Sequence, residues 1–418
     1  MFAIFSLIVA VSALLSFINH KVLKLPPTIG VMILSIIVSV LLGGLQLINA
    51  NWFHQVCSVV VEIDFRSILF DFLLGFLLFA GAIHVNLNNL LEEKGPVIVF
   101  STIGIIISTF LVGTMFFYVS NWLGVGLTYI QSLVFGALIS PTDPVAVLGL
   151  LQKANVSKKL EIKIIGESLF NDGVGIVVFL TLLTIATGGG AEHHGGESVS
   201  ALSIAKDFLV EGGGGIALGL ILGYIGIWFL KAISDEPIIE VHVTLGIVMA
   251  GYALAQLIGV SGALAIVVAG IMIGNRLSKQ DIPRALKLNM NAFWKIIDEV
   301  LNAILFVLIG IEILVLDFEL SYLLLSVLAI IIVLVSRYIA SSVGNKLQGK
   351  NHLCSNKEVL VLTWAGLRGG ISIALALTLP ADQNRELILF VTYMVVVFSI
   401  LVQGLSVGNV VKQLLSKS

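Results

Sequence analysis

The sequence predicts an all-α integral membrane protein of thirteen transmembrane helices, built as two inverted repeats (helices 1–6 and 8–13) with broken helices at positions 5 and 12. Three observations lead there: a composition too apolar for water, a series of long apolar runs, and two helix interruptions at matching places.

Of the 418 residues, 58% are hydrophobic and only 11% charged. Soluble domains carry about 25% charged residues. A soluble fold of this composition leaves long apolar runs facing water, so the bilayer is the natural solvent. The net charge of −2 points to neither nucleic acid nor an acidic partner. Cys57 and Cys354 make no disulfide framework and no metal site. No phosphate loop or dinucleotide motif occurs, and no cofactor is expected. The N-terminal apolar run lacks a basic leading segment and reads as a transmembrane helix, not a signal peptide.

A spanning helix needs roughly 20 mostly apolar residues. Candidate spans lie near 2–18, 26–48, 67–90, 95–119, 124–150, 160–187, 205–231, 240–257, 260–275, 294–316, 319–344, 357–380 and 386–410. Residues 280–291 read as an amphipathic surface segment ahead of the tenth span. With thirteen spans, 18 of the 23 Lys and Arg residues fall on the side of the odd-numbered loops, among them Lys24, Lys94, Lys158 and Lys295. Basic residues stay on the cytoplasmic side. The N-terminus is therefore expected outside and the C-terminus in the cytoplasm, with Cys57 and Cys354 on opposite faces. His193 and His194, in a Gly-rich outer loop, read as solvated rather than metal-binding. The run Gly212–Gly215 reads as a close helix contact, not a phosphate loop.

The fifth span contains Ser140-Pro-Thr-Asp-Pro-Val145. Each proline removes a backbone donor and clashes with the preceding turn. The stretch reads as a stop and a restart, with Thr142 or Asp143 as cap. Unwound backbone at membrane depth is tolerated where it lines a cavity or packs on protein. The twelfth span contains Gly366-Leu-Arg-Gly-Gly370, a second break. Each break is in the fifth helix of its six-helix set, and the two sets start on opposite sides. Paired breaks in inverted repeats point to a transporter's binding site. Half-helix ends carry partial charges. Asp143 is expected to compensate the positive ends, and Arg368 the negative ones.

The sixth span contains Gly166-Glu-Ser-Leu-Phe-Asn-Asp-Gly173. A carboxylate at membrane depth is costly and implies function. Ser168 and Asp172, four apart, share one helix face; Glu167 and Asn171 share another. A hydroxyl and a carboxylate together suit a small cation, with carbonyls around Thr142 supplying further ligands. A proton and a cation then compete for Asp172, and that competition is antiport. Glu167 needs a buried partner. Arg337 is the first candidate and Arg368 the second.

These motifs resemble those of the NhaP/NHE-type sodium/proton antiporters. Thr142-Asp-Pro-Val-Ala-Val147, Gly166-Glu-Ser-Leu-Phe-Asn-Asp172 and Gly366-Leu-Arg-Gly369 carry the likeness. Ser261-Gly-Ala-Leu-Ala265 and Leu301-Asn-Ala-Ile-Leu-Phe306 extend it along nearly the whole chain. The resemblance implies Asp172 as the ion- and proton-binding aspartate, Ser168 as a side-chain ligand and Thr142 as a backbone-carbonyl ligand. It implies Asn171 as the asparagine of electroneutral exchangers, and Arg337 as the partner of Glu167. It also implies one transporter domain, 1–418, forming a homodimer in the plasma membrane. Residues 95–187 and 319–410 would be a moving core, and 1–92 and 205–316 a dimerisation scaffold, working as an elevator. Some archaeal members carry an ion-ligating glutamate in the third helix, where this chain has Ala80; His84, one turn on, is a loose substitute.

The expected function is thus electroneutral Na⁺ (or Li⁺)/H⁺ antiport and not enzymatic catalysis. A K⁺/H⁺ antiporter or a cation channel is the alternative, but no TVGYG-type filter occurs. An intramembrane enzyme is more distant, because Asp71 and Asp172 form no recognisable aspartyl pair.

Overall fold

The computed structural model describes residues 2–44, 65–143, 151, 156–188, 201–233, 236–277, 284–314, 319–348, 354–380 and 383–415. Among these the fold is all-helical, as expected, with one isolated backbone bridge in place of any strand. The helices are α1 (Phe2–Ile18), α2 (Pro27–Gly44), α3 (Leu74–Ile83), α4 (Leu87–Glu92) and α5 (Lys94–Trp122). They continue with α6 (Tyr129–Ile139), α7 (Lys158–Ala186), α8 (Ala201–Ala232), α9 (Pro237–Leu257) and α10 (Gly262–Leu277). The last are α11 (Arg284–Glu312), α12 (Leu320–Lys346), α13 (Asn356–Ala365), α14 (Gly370–Leu377) and α15 (Arg385–Leu415). Eight helices of the described residues are long and apolar enough to cross a membrane.

Local sequence sets the helix starts. Thr128 and Gln131 form a reciprocal capping box at α6, and Ser355 and Glu358 form another at α13. Ser157 caps α7 by accepting from the Leu160 N–H, and Pro237 opens α9. Two boundaries differ from expectation. The third span, expected to run through residue 90, ends at Ile83, and α4 restarts behind the Asn86 cap. The described part of the segment expected to lie apart before the tenth span, from Arg284, is instead the first part of α11, a single helix of 29 residues. No glycine or proline interrupts 284–309, so nothing there stops the helix. Cys57, His193, His194 and residues 144–147 lie outside the described residues.

Helix α8 packs on α10, α10 on α3, α5 on α6 and α12, and α2 on α11. Small residues permit the close crossings. A Cβ on Gly215 would stand 2.5 Å from the Ser261 carbonyl oxygen, which accounts for that glycine of the 212–215 run. Gly270 and Gly274, a GxxxG pair on α10, lie against α3, where a Cβ on Gly274 would meet the Ile83 carbonyl oxygen at 1.9 Å. At the end carrying Lys94, Lys163 Nζ lies 3.6 Å from Glu93 and donates to Cys354 Sγ at 3.4 Å. Burial pushes the Cys354 thiol above its ordinary range, with the Lys163 charge opposing.

Because the neighbour of Gly274 is backbone, Gly274→Ala is expected to cost about 1–3 kcal/mol of stability. The measurement is thermal unfolding in detergent, with Gly95→Ala, whose Cβ would point into open space, leaving the melting temperature unchanged.

Candidate functional site

The two breaks meet. Helix α6 stops at Ile139, and its unwound continuation runs through Pro141, Thr142 and Asp143. Helix α13 stops at Ala365 and α14 restarts at Gly370. Between them, the Asp143 N–H donates to the Leu367 carbonyl at 2.8 Å. This single bridge ties one unwound strand to the other.

Charge is exchanged across the bridge. The Arg368 guanidinium, 2% exposed, donates to the carbonyls of Ser140 and Pro141, the latter at 2.9 Å. Those oxygens lie just beyond the C-terminal end of α6, where partial negative charge gathers. In return, the Asp143 carboxylate lies against Gly369, the residue that precedes the first turn of α14. The free N–H groups of that turn carry partial positive charge. A Cβ on Gly369 would stand 2.6 Å from Asp143 Oδ2, so a glycine is required for this approach. The Arg368 N–H is in turn held by Ser399 Oγ at 2.9 Å, and Ser399 donates to Gln403. Ser399 and Gln403 belong to a π-helical turn within α15. The sequence reading missed them, and it gave no role to Ser140, whose hydroxyl donates to the Gly136 carbonyl at 2.6 Å and lies 2.9 Å from Ser108 Oγ.

On α7 the two helix faces have different surroundings. Glu167 faces protein and forms a buried ion pair with Arg337 of α12. The guanidinium also lies beside Gly366, at the second break. Arg368, the second candidate partner, is instead used at the end of α6. Asn171, fully buried, donates from Nδ2 to Thr142 Oγ1 at 2.8 Å. It braces the unwound strand rather than lining the cavity. Thr142 Oγ1 and Ser168 Oγ are 3.1 Å apart.

Ser168 and Asp172 occupy the other face and line a cavity of about 1430 Å³ together with Thr142 and Asp143. The cavity runs to the protein surface, where its wall includes Lys24, Lys158 and Lys295, all exposed. Ala80 also lines it, as does His84, which lies within electrostatic reach of Lys295. Four oxygen-bearing residues thus converge on one water-accessible wall: a carboxylate and a hydroxyl from α7, and a hydroxyl and a second carboxylate from the unwound strand. This donor set suits a small hard cation or a proton. Asp298 and Asn302 of α11 line the same cavity and were not singled out from sequence. Their signal was a carboxylate and an amide four residues apart on a strongly amphipathic helix.

The family described as "Sodium/hydrogen exchanger, transmembrane" matches residues 7–413. The chain is 40% identical over 411 residues to the Na(+)/H(+) antiporter NhaP of Pseudomonas aeruginosa, covering 97% of this chain and 95% of that protein. It is 32% identical to the Na(+)/H(+) antiporter NhaH of Halobacillus dabanensis, covering 94% and 93%. Its fold matches the solved structure of the sodium proton antiporter MjNhaP1 from Methanocaldococcus jannaschii with a TM-score of 0.75 at 21% identity, covering 98% of this chain and 97% of that one.

Removing one partner of a buried pair leaves the other charge unpaired and costs about 3–5 kcal/mol. Arg337→Ala and Glu167→Ala are each expected to lower the detergent melting temperature sharply. The double variant Glu167→Gln, Arg337→Met should recover much of that loss, and comparing the three melts checks the pairing.

Proposed function

The chain belongs to the sodium/hydrogen exchanger family, and on that premise we propose that it exchanges Na⁺ for H⁺ electroneutrally through one carboxylate, Asp172. The observation that carries this reading is the separation of the two α7 carboxylates. Glu167 is neutralised by Arg337, whereas Asp172 faces the cavity. A cavity-facing carboxylate in a low-dielectric wall is unstable as a bare anion. It gains by taking up either a proton or a cation, and each displaces the other. Ser168 and Thr142 are the further ligands proposed for the cation; Li⁺ meets the same oxygens. Where a second carboxylate would add a negative charge beside Asp172, Asn171 is a neutral brace. One proton then leaves for each monovalent cation bound.

Asp143 and Arg368 balance the helix ends and are not emptied or filled in the cycle. The proposed architecture is thirteen spans, with residues 95–187 and 319–410 as a core that moves against a scaffold of 1–92 and 205–316. The bridge between the two unwound strands supports this, because it makes both broken helices one mechanical unit. We assign the lysine-bearing mouth of the cavity to the cytoplasm from the distribution of basic residues, so the described state is open inward. A plasma-membrane homodimer that serves pH homeostasis fits this reading. The relatives are antiporters, which favours transport over catalysis.

In proteoliposomes carrying a pH dye, added Na⁺ should dissipate an acid-inside gradient, and Asp172→Asn should abolish that recovery. Unimpaired recovery in the variant would remove Asp172 from its role. Exchange should also be unchanged when a membrane potential is clamped with valinomycin and K⁺; a strong voltage dependence would exclude one-for-one exchange.

A further inference from the structure

The mouth of the cavity poses an electrostatic problem for a cation. Its exposed ionisable wall residues are three lysines, Lys24, Lys158 and Lys295, with Glu299, His20 and His84, and Glu161 is half-buried beside them. The fixed charges at the rim therefore sum to a positive value, which repels Na⁺. Asp143 and Asp172, on the unwound strand and α7, line the same cavity. Helix α11, which lines the same cavity, passes from exposed Lys295 to mostly buried residues from Leu301 inward. Asp298 sits at that transition, half-buried. Beyond residue 299, α11 carries no ionisable side chain until Glu312. Asn302, 3% exposed, donates from one amide group both to Asp298 Oδ1 at 2.9 Å and to its carbonyl at 2.8 Å. That clamp holds the carboxylate on the cavity side of the helix. Asp143 lies within electrostatic reach of both Asp172 and Asp298, so the three carboxylates act on one volume.

We propose that Asp298 is a cation-staging residue: it offsets the lysine rim, concentrates Na⁺ in the cavity and passes it to Asp172, without joining the final ligand set. The proposal rests on the reading of Asp172 as the exchange site. Low-dielectric walls focus the field of such a group and raise the local counter-ion concentration. Asp298 then governs the apparent affinity from the side to which the cavity opens. It leaves the maximal rate, set by Asp172 and by the moving core, unchanged.

The test uses everted and right-side-out vesicles with a pH dye and a Na⁺ titration. Asp298→Asn keeps an oxygen for Asn302 to donate to and removes only the charge. It should raise the apparent KM for Na⁺ roughly fivefold when Na⁺ is presented on the cavity side, with the rate at saturating Na⁺ retained. Asp298→Glu should restore most of the affinity, and Na⁺ presented on the other side should show no change. An unchanged KM on the cavity side, an equal rise on both sides, or a loss of maximal rate that Asp298→Glu fails to restore would overturn the proposal. Asp172→Asn is run in parallel. If it is inactive while Asp298→Asn keeps the original KM, only the staging role fails. If it is active, the exchange-site reading fails first.

Discussion

The interaction on which the rest of this site depends is the exchange of charges between two interrupted helices. Ending a helix inside a membrane leaves carbonyls or N–H groups without partners, in a medium that offers no water. Each break in this chain is resolved by a residue from the other. Arg368, between α13 and α14, donates to the carbonyls that follow α6. Asp143, after α6, lies against the first turn of α14. These contacts tie the two breaks into one unit, with the Asp143–Leu367 backbone bridge between them. The hydroxyl of Ser399 and the amide of Gln403 hold that unit from behind.

That constraint explains why the buried carboxylates behave as a set. Unwinding α6 after Ile139 brings Thr142 within hydrogen-bonding distance of α7, where Asn171 and Ser168 engage its hydroxyl from neighbouring faces. The same contact turns Asp172 toward the cavity and Glu167 toward Arg337. One acid is paired with a protein cation, and the other faces the cavity. The brace through Asn171 and the ion pair through Glu167 absorb the polar groups of one α7 face. The Ser168 and Asp172 face lines the cavity.

Much of this was legible in the sequence because its physical signals are strong and local. Two prolines around Thr142-Asp143 cannot both sit in regular helix, and three glycines with an arginine around Leu367-Arg368 suggested a second break, so both were visible. The spacing of Ser168 and Asp172 fixed their shared face, and a buried Glu167 demanded a cation. Boundaries were weaker: the Asn86 cap and the uninterrupted start of α11 at Arg284 are decided by capping and by the absence of breakers, which apolar run length does not register. Ser399 and Gln403 were not legible, and the faint signal at Asp298, a carboxylate four residues from an amide, was not singled out. Each is an ordinary polar residue on a helix, and its meaning lies in what stands opposite.

Taken alone, then, the sequence determined the solvent, the helical fold, both breaks and the identity of the costly charges. These follow from composition, helix periodicity and the covalent geometry of proline and glycine. The tertiary structure settled the choice of Arg337 over Arg368 as the partner of Glu167, and it alone showed that Arg368 reaches the Ser140 and Pro141 carbonyls, that Asn171 braces Thr142, and that Asp298 shares a cavity with Asp172. The reason is that a pairing between residues separated by many turns of chain depends on how helices cross. Spacing along one helix fixes a face, but not the neighbour that face will meet.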